Sequence, residues 1–497
     1  MKLRKFDKTS LLEYLALFVL AVLFLMLFSF WTSPYYKNWY GCDASFFTMA
    51  GRGIVKGWVP YRDFFDLKGP YFFFIEAFGQ LFFEARMGAF FLQVIALFFT
   101  YVLILKIGRL FISTKKTGFM LLVFTVFHIA TLWGGNTLEE YMLPLSLLSI
   151  YLTIRDLKES SKIHSLSAFI TGVCFAVIAF SKISVAAPIV GLVLAIIIFY
   201  IKKRRFMDLL EYLLFAFFGL LVGITPVFVY FAVNHALLDM LYAVFVFAFK
   251  RSVDFGTKFN LRWELKISAC YCCLLFAALN IIPFKKRTNK KYHETVEFIL
   301  IALICISIVT AFALHFGDPF IYYFTTAYPV LMLAFIAIFL IYDPFILFRT
   351  WRLDIPVIAF LITMSYFASC TASSLNTVIY DRDNTYYQTY VDNALEMASL
   401  IPAGDRNSVY SINMDMQWFE INQILPCYSY TINLQFFVSL DPRIEENIIN
   451  KLNTDPPKWI VIGGDLSSYL PNLDDIVSEK YVNIYTNNEG SLYLLHQ

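Results

Sequence analysis

The sequence predicts a polytopic α-helical membrane protein with a C-terminal extracytoplasmic α/β domain. Of its 497 residues, 59% are hydrophobic and 15% are charged, whereas a typical soluble domain is about half apolar and about a quarter charged. The 54 Phe residues carry more apolar surface than one soluble core can bury. Near residue 374 the long apolar runs end and acidic residues become frequent. This composition excludes intrinsic disorder, a collagen-like fibre and a coiled coil.

About 11 apolar runs are candidates for transmembrane helices, each of which needs roughly 20 residues. The first run follows the basic segment 1–5 and ends in aromatic residues rather than at a small-residue cleavage site, so we predict a retained anchor and not a signal peptide. The predicted spans are 11–31, 88–105, 117–133, 141–154, 165–181, 183–201, 208–232, 265–284, 295–314, 323–342 and 356–373.

Lys and Arg residues collect in the N-terminus and in every second connection between these spans. Positively charged connections stay on the cytoplasmic side, so the pattern predicts a cytoplasmic N-terminus and an extracytoplasmic C-terminus in the plasma membrane. The basic connections are Lys106 to Lys116, Arg155 to Lys162, Lys202 to Arg205, Lys285 to Lys291, and Arg349 with Arg352.

The predicted membrane domain, residues 1–373, contains a long first extracytoplasmic loop at about 32–87. Two helices lying in the membrane interface are expected there. In the first, Phe46, Phe47, Ala50 and Ile54 recur at helical spacing. The second begins near Pro70, and its polar face is expected to carry Glu76, Gln80 and Glu84 against Phe73, Ile75, Phe78 and Phe82.

The predicted second domain, residues 374–497, faces solvent because its 16 Asp and Glu outnumber its six Lys and Arg. Alternating apolar residues predict strands at 408–412, 458–462 and 491–495. Helical spacing predicts helices at 386–400 and 442–452. An α/β sandwich is the expected class.

The cysteines and the net charge restrict the possible partners. The eight Cys have no zinc or redox spacing. Cys42 and Cys427 fall in polar segments and either pair in an oxidising compartment or remain two free thiols, which is the simpler interpretation. A net charge of +3 does not indicate a nucleic-acid partner.

Ionisable residues near a membrane need a partner or a role, and here they cluster on the extracytoplasmic side. Asp43 is a candidate general base for an acceptor hydroxyl, or alternatively a helix N-cap. Arg62 and Lys68 are candidates for binding a phosphate. The alternative is that they pair with Asp63 and Asp66 or extend to lipid headgroups.

The second outward turn and two later segments supply further candidates. Glu139 and Glu140 are expected to assist the base, orient the acceptor or bind a divalent cation, or simply to start a helix favoured by its dipole. Lys182 lies between two spans and either binds a lipid phosphate or points to water. His315 and Asp318, followed by Tyr322 and Tyr323, are possible cavity-lining residues or structural helix-end residues. Asp63 and Asp66 of the first loop are further possible cavity-lining residues.

Taken together, these segments resemble the GT-C superfamily of polytopic glycosyltransferases, which includes protein O-mannosyltransferases and the lipid A aminoarabinose transferase. The resemblance rests on Asp43 after the first span and on four short motifs or features. These are Gly57-Trp-Val-Pro-Tyr-Arg62-Asp63, Asp66-Leu-Lys68-Gly-Pro70, Asn136-Thr-Leu-Glu139-Glu140 and the soluble domain after the last span. The resemblance in the order of spans and domains covers the whole chain, whereas the matching motifs lie in its first third.

The resemblance implies site roles for several residues. Asp43 matches the family's catalytic aspartate, and Lys68 matches the lysine that contacts the lipid phosphate, although Gly69 stands where many members have Pro. Glu139 or Glu140 matches an acidic residue of the second outward loop. The family's His-Tyr pair near a late span is replaced by Tyr322-Tyr323. Ala44 follows Asp43, so the Asp-Glu motif of mannosyltransferases is absent and the bacterial envelope branch is favoured.

The implied reaction is inverting transfer of one monosaccharide from a polyprenyl-phosphate donor to an extracytoplasmic envelope glycan or lipid-linked acceptor. Asp43 would act as the base, and Lys68, with Arg62 or Lys182, would stabilise the leaving phosphate. No cofactor is required by this reaction as written, and a divalent cation stays an open alternative. Two other functions are considered: a transporter or flippase of lipid-linked glycans, and a non-catalytic envelope assembly protein.

Overall fold

The computed structural model describes residues 8–255, 293–315, 320–341, 369, 371–381, 385–468 and 470–496. The predicted span at 265–284, most of the predicted span at 356–373, and Asp318 lie outside the described residues. The described part is mostly helical. Its helices are α1 (Lys8–Phe28), α2 (Cys42–Val55), α3 (Pro70–Gln80), α4 (Arg86–Arg109), α5 (Thr114–Thr131), α6 (Leu138–Ser160), α7 (Ser165–Ala179), α8 (Ala187–Lys202), α9 (Phe206–Val233), α10 (Leu237–Leu241), α11 (Ala248–Phe255), α12 (His293–His315), α13 (Tyr328–Ile341), α14 (Thr385–Ser399), α15 (Met416–Asn422), α16 (Leu434–Leu440), α17 (Arg443–Thr454) and α18 (Pro471–Lys480).

The chain divides into two compact units. The first, here called the membrane unit, comprises Met1–Ser29, Gln93–Val229 and Ser252–Ile379. The second, here called the loop–tail unit, comprises Phe30–Leu92, Tyr230–Arg251 and Tyr380–Gln497. The loop–tail unit therefore joins most of the predicted first extracytoplasmic loop to the C-terminal tail.

Five helical segments among the described residues are long and apolar enough to cross a membrane. They are Leu11–Phe28, Arg86–Arg109, Ile183–Lys202, Phe206–Val233 and Glu294–His315. In the first and fourth, only 22% of the most apolar window is buried inside the protein, so their surfaces suit contact with lipid tails. Helices also occupy the other predicted spans for which the chain is described. The total of about 11 spans and the orientation stay predictions.

Two segments of the membrane unit depart from simple helices. Short 3₁₀ turns at Ile183–Ala186 and Ile321–Ala327 lead into α8 and α13. Helix α6 is longer than the predicted span 141–154, because it starts at Leu138 and ends at Ser160. Because it starts earlier than predicted, its first turn includes Glu139 and Glu140.

In the loop–tail unit, α2 and α3 pack closely against each other at Gly51. A Cβ atom at Gly51 would lie 2.8 Å from the backbone carbonyl carbon of Glu76, so only glycine permits this approach. The predicted helices near Phe46 and Pro70 are thus confirmed, and Pro70 lies in the first turn of α3.

The predicted faces of α3 are wrong. Glu76 is fully buried with Phe72 and Phe73, whereas Phe78 and Phe82 are about half exposed. Helix α3 also ends at Gln80, so Glu84 does not belong to it. The buried face is set by close packing on α2, and the exposed aromatic side chains are of the kind that lie at a membrane interface.

The tail folds as a four-stranded mixed sheet with helices, as the α/β prediction requires. The strands are β1 (Val409–Ile412), β2 (Trp459–Ile462), β3 (Tyr481–Asn487) and β4 (Gly490–Leu495), in the order β1-β2-β4-β3. Strand β2 pairs in parallel with β1 and antiparallel with β4. The predicted strands and both predicted helices are confirmed. Strand β3 was not predicted, since at the sheet edge it leaves Val482 and Ile484 exposed.

The two cysteines of the polar segments are not bonded to each other. Cys42 and Cys427 are both free thiols, in agreement with the simpler interpretation of the sequence. Cys42 is the first residue of α2, and Cys427 donates its backbone N–H to the Val409 carbonyl of β1.

Candidate functional site

Asp43 lies in the first turn of α2, and its side chain is exposed. It is not the N-cap, because that position belongs to Gly41. A Cβ atom at Gly41 would overlap the Trp31 ring at 2.2 Å, so the cap position has no room for a side chain. A carboxylate in the first turn is favoured by the helix dipole, and its exposure leaves it accessible to a substrate hydroxyl.

The segment after α2 is folded by a compact set of hydrogen bonds around Asp63. Asp63 Oδ2 accepts the Val59 N–H at 2.7 Å. The Arg62 guanidinium donates to both oxygens of the same carboxylate, at 3.0 and 2.9 Å. The Arg62 cation is therefore already neutralised by a bidentate pair, which agrees with the pairing alternative raised for it.

Lys68 is more buried than Arg62, and its ion pair is longer. Its ammonium lies 3.4 Å from Asp66 Oδ2, with the Lys68 side chain 23% exposed. The same nitrogen lies 4.4 Å from the centroid of the Phe47 ring. The carbonyl of Lys68 accepts the Tyr61 hydroxyl at 2.7 Å, which fixes the backbone of this segment. Lys68 is thus held over an aromatic ring of α2.

Asp43 and Phe47, the ring over which Lys68 lies, are about one turn apart on α2. Phe47, over which Lys68 lies, follows Asp43 by four residues on this helix. Residues at that spacing are neighbours on a helix surface, about one turn apart. The exposed Asp43 carboxylate therefore belongs to the helix whose next turn carries the ring beneath the Lys68 ammonium.

In the membrane unit, Glu140 completes a capping box at the start of α6. Its Oε1 accepts the backbone N–H of Thr137 at 2.9 Å and the Thr137 hydroxyl at 2.7 Å. Its Oε2 accepts Gln93 Nε2 at 2.8 Å. All of this matches the helix-start alternative for Glu140, whose two oxygens are engaged in holding the turn.

Glu139 points to a different partner, the Lys182 ammonium. Lys182 Nζ lies 2.8 Å from Glu139 Oε1, and Glu139 is 2% exposed. The same ammonium lies 3.5 Å from the centroid of the Tyr323 ring. Three of the predicted site residues, Glu139, Lys182 and Tyr323, therefore lie together. Glu139 supplies the negative charge that an ammonium near the membrane needs as a partner.

Of the remaining predicted residues of the membrane unit, Tyr322 lies beside this cluster. The rings of Tyr322 and Tyr323 meet edge to face with centroids 4.6 Å apart. Tyr322 also stacks on Phe320 at 5.5 Å. His315 ends α12. Tyr323 therefore belongs to the Lys182 cluster, and Tyr322 packs against Tyr323.

The acidic residues proposed to bind a divalent cation are engaged by other partners. Glu140 is occupied by the capping box, and Glu139 is paired with Lys182. Within the described ranges, no group of three His, Cys, Asp or Glu side chains is placed to hold a metal ion.

Three residues of the loop–tail unit were missed by the sequence analysis. Arg52 of α2 forms a buried ion pair with Glu420 of α15 at 3.1 Å and donates to the Gln423 side chain at 2.5 Å. Asp415 caps α15 and accepts the thiol hydrogen of Cys42. Arg52 could have been noticed as a charge among the apolar residues of α2. Nothing in the sequence distinguishes Glu420 and Asp415 among the acidic residues of the tail.

Comparison with known proteins shows a likeness in structure and none in sequence families. No protein-family model and no curated protein matches the chain. ArnT from Cupriavidus metallidurans bound to undecaprenyl phosphate is similar over 98% of this chain and 98% of its own, with a TM-score of 0.54 and 12% identity. The apo form of ArnT gives 97% and 98% coverage, a TM-score of 0.52 and 13% identity.

A third structure, the Archaeoglobus fulgidus oligosaccharyltransferase in complex with Zn and sulfate, covers 96% of this chain and 73% of its own at 14% identity, with a TM-score of 0.47. The two ArnT structures carry the comparison, and at their level of identity they establish the fold. The chain therefore has the fold of ArnT.

Proposed function

We propose that this protein is a membrane glycosyltransferase that transfers one monosaccharide from a polyprenyl-phosphate donor to an extracytoplasmic envelope glycan or lipid-linked acceptor, with inversion. The observation that supports this proposal is that the Lys68 ammonium lies over Phe47, about one turn from Asp43 on α2. The ArnT fold supports it, since one of the ArnT structures contains undecaprenyl phosphate.

In the proposed reaction, the acceptor hydroxyl oxygen attacks the anomeric carbon of the donor sugar. The attack comes from the side opposite the bond between that carbon and the phosphate oxygen. As this bond breaks, the configuration at the carbon inverts. Asp43 takes the proton of the hydroxyl, and the electron pair of the broken bond leaves with the polyprenyl phosphate. The Lys68 ammonium stabilises this developing charge by a charge-assisted hydrogen bond.

The ion pair with Asp66 suits a phosphate-binding role for Lys68, because it holds the Lys68 ammonium in place before the donor binds. At 3.4 Å it is longer than the bidentate pair of Arg62 and Asp63, whose shorter contact is 2.9 Å. Lys68 is therefore the first choice for contact with phosphate, and Arg62 is assigned to shaping the segment. Lys182 in the membrane unit is retained as a separate candidate phosphate ligand, with a test of its own.

The first experiment compares the envelope-glycan composition of cells that lack this protein with cells complemented at matched membrane expression. We expect wild type to restore one sugar substituent and Asp43→Asn to fail, because loss of a general base lowers the rate by about two to four orders of magnitude. Asp474→Asn is the matched control, since Asp474 also lies in the first turn of a helix. Full complementation by Asp43→Asn would contradict the proposed chemistry.

The second experiment measures binding of a polyprenyl phosphate to the purified protein in lipid nanodiscs. Lys68→Met is expected to weaken binding about tenfold or more, while Lys68→Arg retains most of it. Lys56→Met, which removes an exposed cation at the end of α2, should leave binding unchanged. Flux of a lipid-linked glycan without sugar transfer would favour a transporter. Tolerance of neutral residues at Asp43, Lys68 and Glu140 would favour an assembly protein.

A further inference from the structure

The guanidinium of Arg86 contacts four residues of the segment that leads into α2. Arg86 is the first residue of α4, and its Nη1 donates to the Tyr36 carbonyl at 2.8 Å and to the Trp39 carbonyl at 3.1 Å. Its Nη2 donates to the Lys37 carbonyl at 2.6 Å. The guanidinium carbon also lies 4.7 Å from the centroid of the Tyr40 ring. One planar cation therefore fixes three carbonyl groups and one ring of this segment.

This segment runs directly into the first turn of α2, which carries Asp43. Tyr40 is followed by Gly41, the N-cap, whose carbonyl accepts the backbone N–H of Ser45 at 2.8 Å. Gly41 lies against the Trp31 ring, which leaves no room for a side chain there. Because the Cα–Cβ bonds of a helix have fixed directions relative to its axis, the position of the Asp43 carboxylate depends on how this segment sets the start of α2.

Arg86 is itself held to the rest of the first loop by the turn between α3 and α4. Gln80 Nε2 of α3 donates to the carbonyl of Ala85 at 2.8 Å. Ala85 has a φ of 54°, in the left-handed region that few residues other than glycine adopt. A Cβ atom at Gly79 would lie 2.8 Å from the Gly88 carbonyl oxygen, so α3 and α4 approach closely at this turn. The turn therefore holds Arg86 at a defined place relative to α3.

These contacts close a ring around the start of α2. Helix α2 packs on α3 at Gly51, α3 leads through the tight turn to Arg86, and Arg86 binds the segment that precedes α2. The same segment also meets the tail, where the Trp39 and Tyr387 rings stack with centroids 4.2 Å apart. The first turn of α2 is thus fixed from two sides, by the packing at Gly51 within the helix and by Arg86 before it.

We propose that Arg86 is a positioning residue for the reaction, which sets the place of the Asp43 carboxylate by binding the segment before α2. This rests on the proposed function, in which Asp43 is the base. Arg86 acts through the backbone and does not touch the substrate, since its guanidinium is engaged by three carbonyls and a ring. Lys68 is fixed instead by Asp66 and by the Phe47 ring, so donor binding is expected to be independent of Arg86.

The first test measures sugar transfer and donor binding separately. Transfer is the initial rate at which the sugar substituent forms in membranes from cells that lack this protein, complemented with each variant at matched amounts. Arg86→Lys keeps the charge but loses the planar array of donors, so we expect this rate to fall about ten- to hundredfold. Binding of undecaprenyl phosphate to the variant in lipid nanodiscs should not change. Arg406→Lys, at an exposed position of the tail, is the control and should change neither quantity.

A second test distinguishes positioning from a general loss of structure by chemical rescue. Arg86→Ala leaves a space that free guanidinium can enter and from which it can donate to the same carbonyls. Guanidinium at a non-denaturing concentration should therefore raise the transfer rate of this variant about threefold or more. Methylammonium, a cation without the planar array of donors, should not raise it.

Hydrogen–deuterium exchange of the full-length protein gives a readout that needs no activity. Backbone amides of residues 42–46 should exchange about tenfold faster in Arg86→Lys than in wild type, because the first turn of α2 opens more often. Amides of α17 in the tail serve as the reference and should exchange at the wild-type rate. Wild-type exchange at residues 42–46 in Arg86→Lys would contradict the proposed positioning.

The outcomes separate this proposal from the proposed function. If Asp43→Asn transfers the sugar at the wild-type rate, the proposed function fails and this proposal fails with it. If Asp43→Asn is inactive while Arg86→Lys keeps the wild-type transfer rate, the role of Arg86 alone is overturned. Equal losses of transfer and of undecaprenyl phosphate binding, without rescue by guanidinium, also overturn it. Should Arg86→Lys not fold, Tyr40→Leu removes the ring beneath the guanidinium, and the same loss of transfer with unchanged binding is expected.

Discussion

The Arg52 guanidinium and the Glu420 carboxylate form a buried ion pair at 3.1 Å, although 368 residues separate them in the sequence. The pair ties α2, which carries Asp43, to α15 of the tail. Gln423 and the Ile424 carbonyl also accept hydrogen bonds from Arg52. Burial raises the pKa of Glu420, and the Arg52 charge opposes this. The tail thus anchors the helix on which the proposed base lies.

Removing one partner of this pair should be strongly destabilising, because the other charge stays buried without compensation. Glu420→Gln or Arg52→Met is expected to cost about 3 to 5 kcal/mol. Thermal and denaturant unfolding of the protein in detergent measures the loss. The double variant Arg52→Met/Glu420→Met should recover a substantial part of it. Losses that simply add in the double variant would show that the two side chains do not stabilise each other.

The ion pair between Lys182 and Glu139 provides the second prediction. Lys182→Met should raise the donor KM about tenfold if Lys182 contacts the phosphate, and Lys182→Arg should restore most of the affinity. Lys162→Met is the control, because Lys162 also pairs with two carboxylates of the membrane unit but is more exposed. Equal donor KM values for Lys182→Met and Lys162→Met would assign Lys182 a structural role only.

The sequence predicts those features that depend on local periodicity and composition. The apolar runs, the helices α2 and α3, and strands β1, β2 and β4 follow from hydrophobic spacing, and those that fall in the described part of the chain are present. The resemblance to the GT-C superfamily predicted the fold. The edge strand β3 and the short helix α15 have no such signal, since their boundaries depend on tertiary packing.

Pairing between distant residues is what the sequence could not predict. Glu76 was assigned to a polar outer face by its spacing alone, yet the close approach of α2 at Gly51 places it inside. For Lys182 the sequence suggested a lipid phosphate or water, and its ion pair with Glu139 was not foreseen. In both cases the deciding contact comes from another helix, and helical spacing carries no information about it.

The contact at Gly51 gives a third prediction, on packing. Gly51→Ala should destabilise the protein by about 1 to 3 kcal/mol, because its Cβ would lie 2.8 Å from the Glu76 backbone and 2.9 Å from the Ala77 nitrogen. The gain in helix propensity, about 1 kcal/mol, offsets only part of this. Gly118→Ala in α5 is the matched control, since a Cβ there meets nothing within 4 Å. An unchanged melting temperature for Gly51→Ala would mean that α2 and α3 can separate without cost.

The fourth prediction concerns acid stability and rests on Asp441, which joins the 230–251 segment to the tail within the loop–tail unit. Arg443 donates to Asp441 Oδ1 at 2.8 Å, and the Tyr242 hydroxyl donates to the same carboxylate. The Arg443 guanidinium holds the pKa of Asp441 well below its usual range, and the Tyr242 bond lowers it further against the opposing effect of burial. The stabilisation is therefore complete above the unfolded-state pKa of about 3.9, and it is lost as the pH falls below that value toward the folded-state pKa.

Asp441→Asn should remove this dependence. At neutral pH we expect the variant to be less stable by about 1 to 3 kcal/mol, the usual contribution of hydrogen bonds to a charged group. Between about pH 4 and pH 2 its melting temperature should fall less steeply than that of wild type, because no native carboxylate remains to be protonated at this position. Asp475→Asn, at an exposed site, should follow the wild-type curve. Parallel curves for wild type and Asp441→Asn would show that the Asp441 to Arg443 pair does not contribute to acid stability.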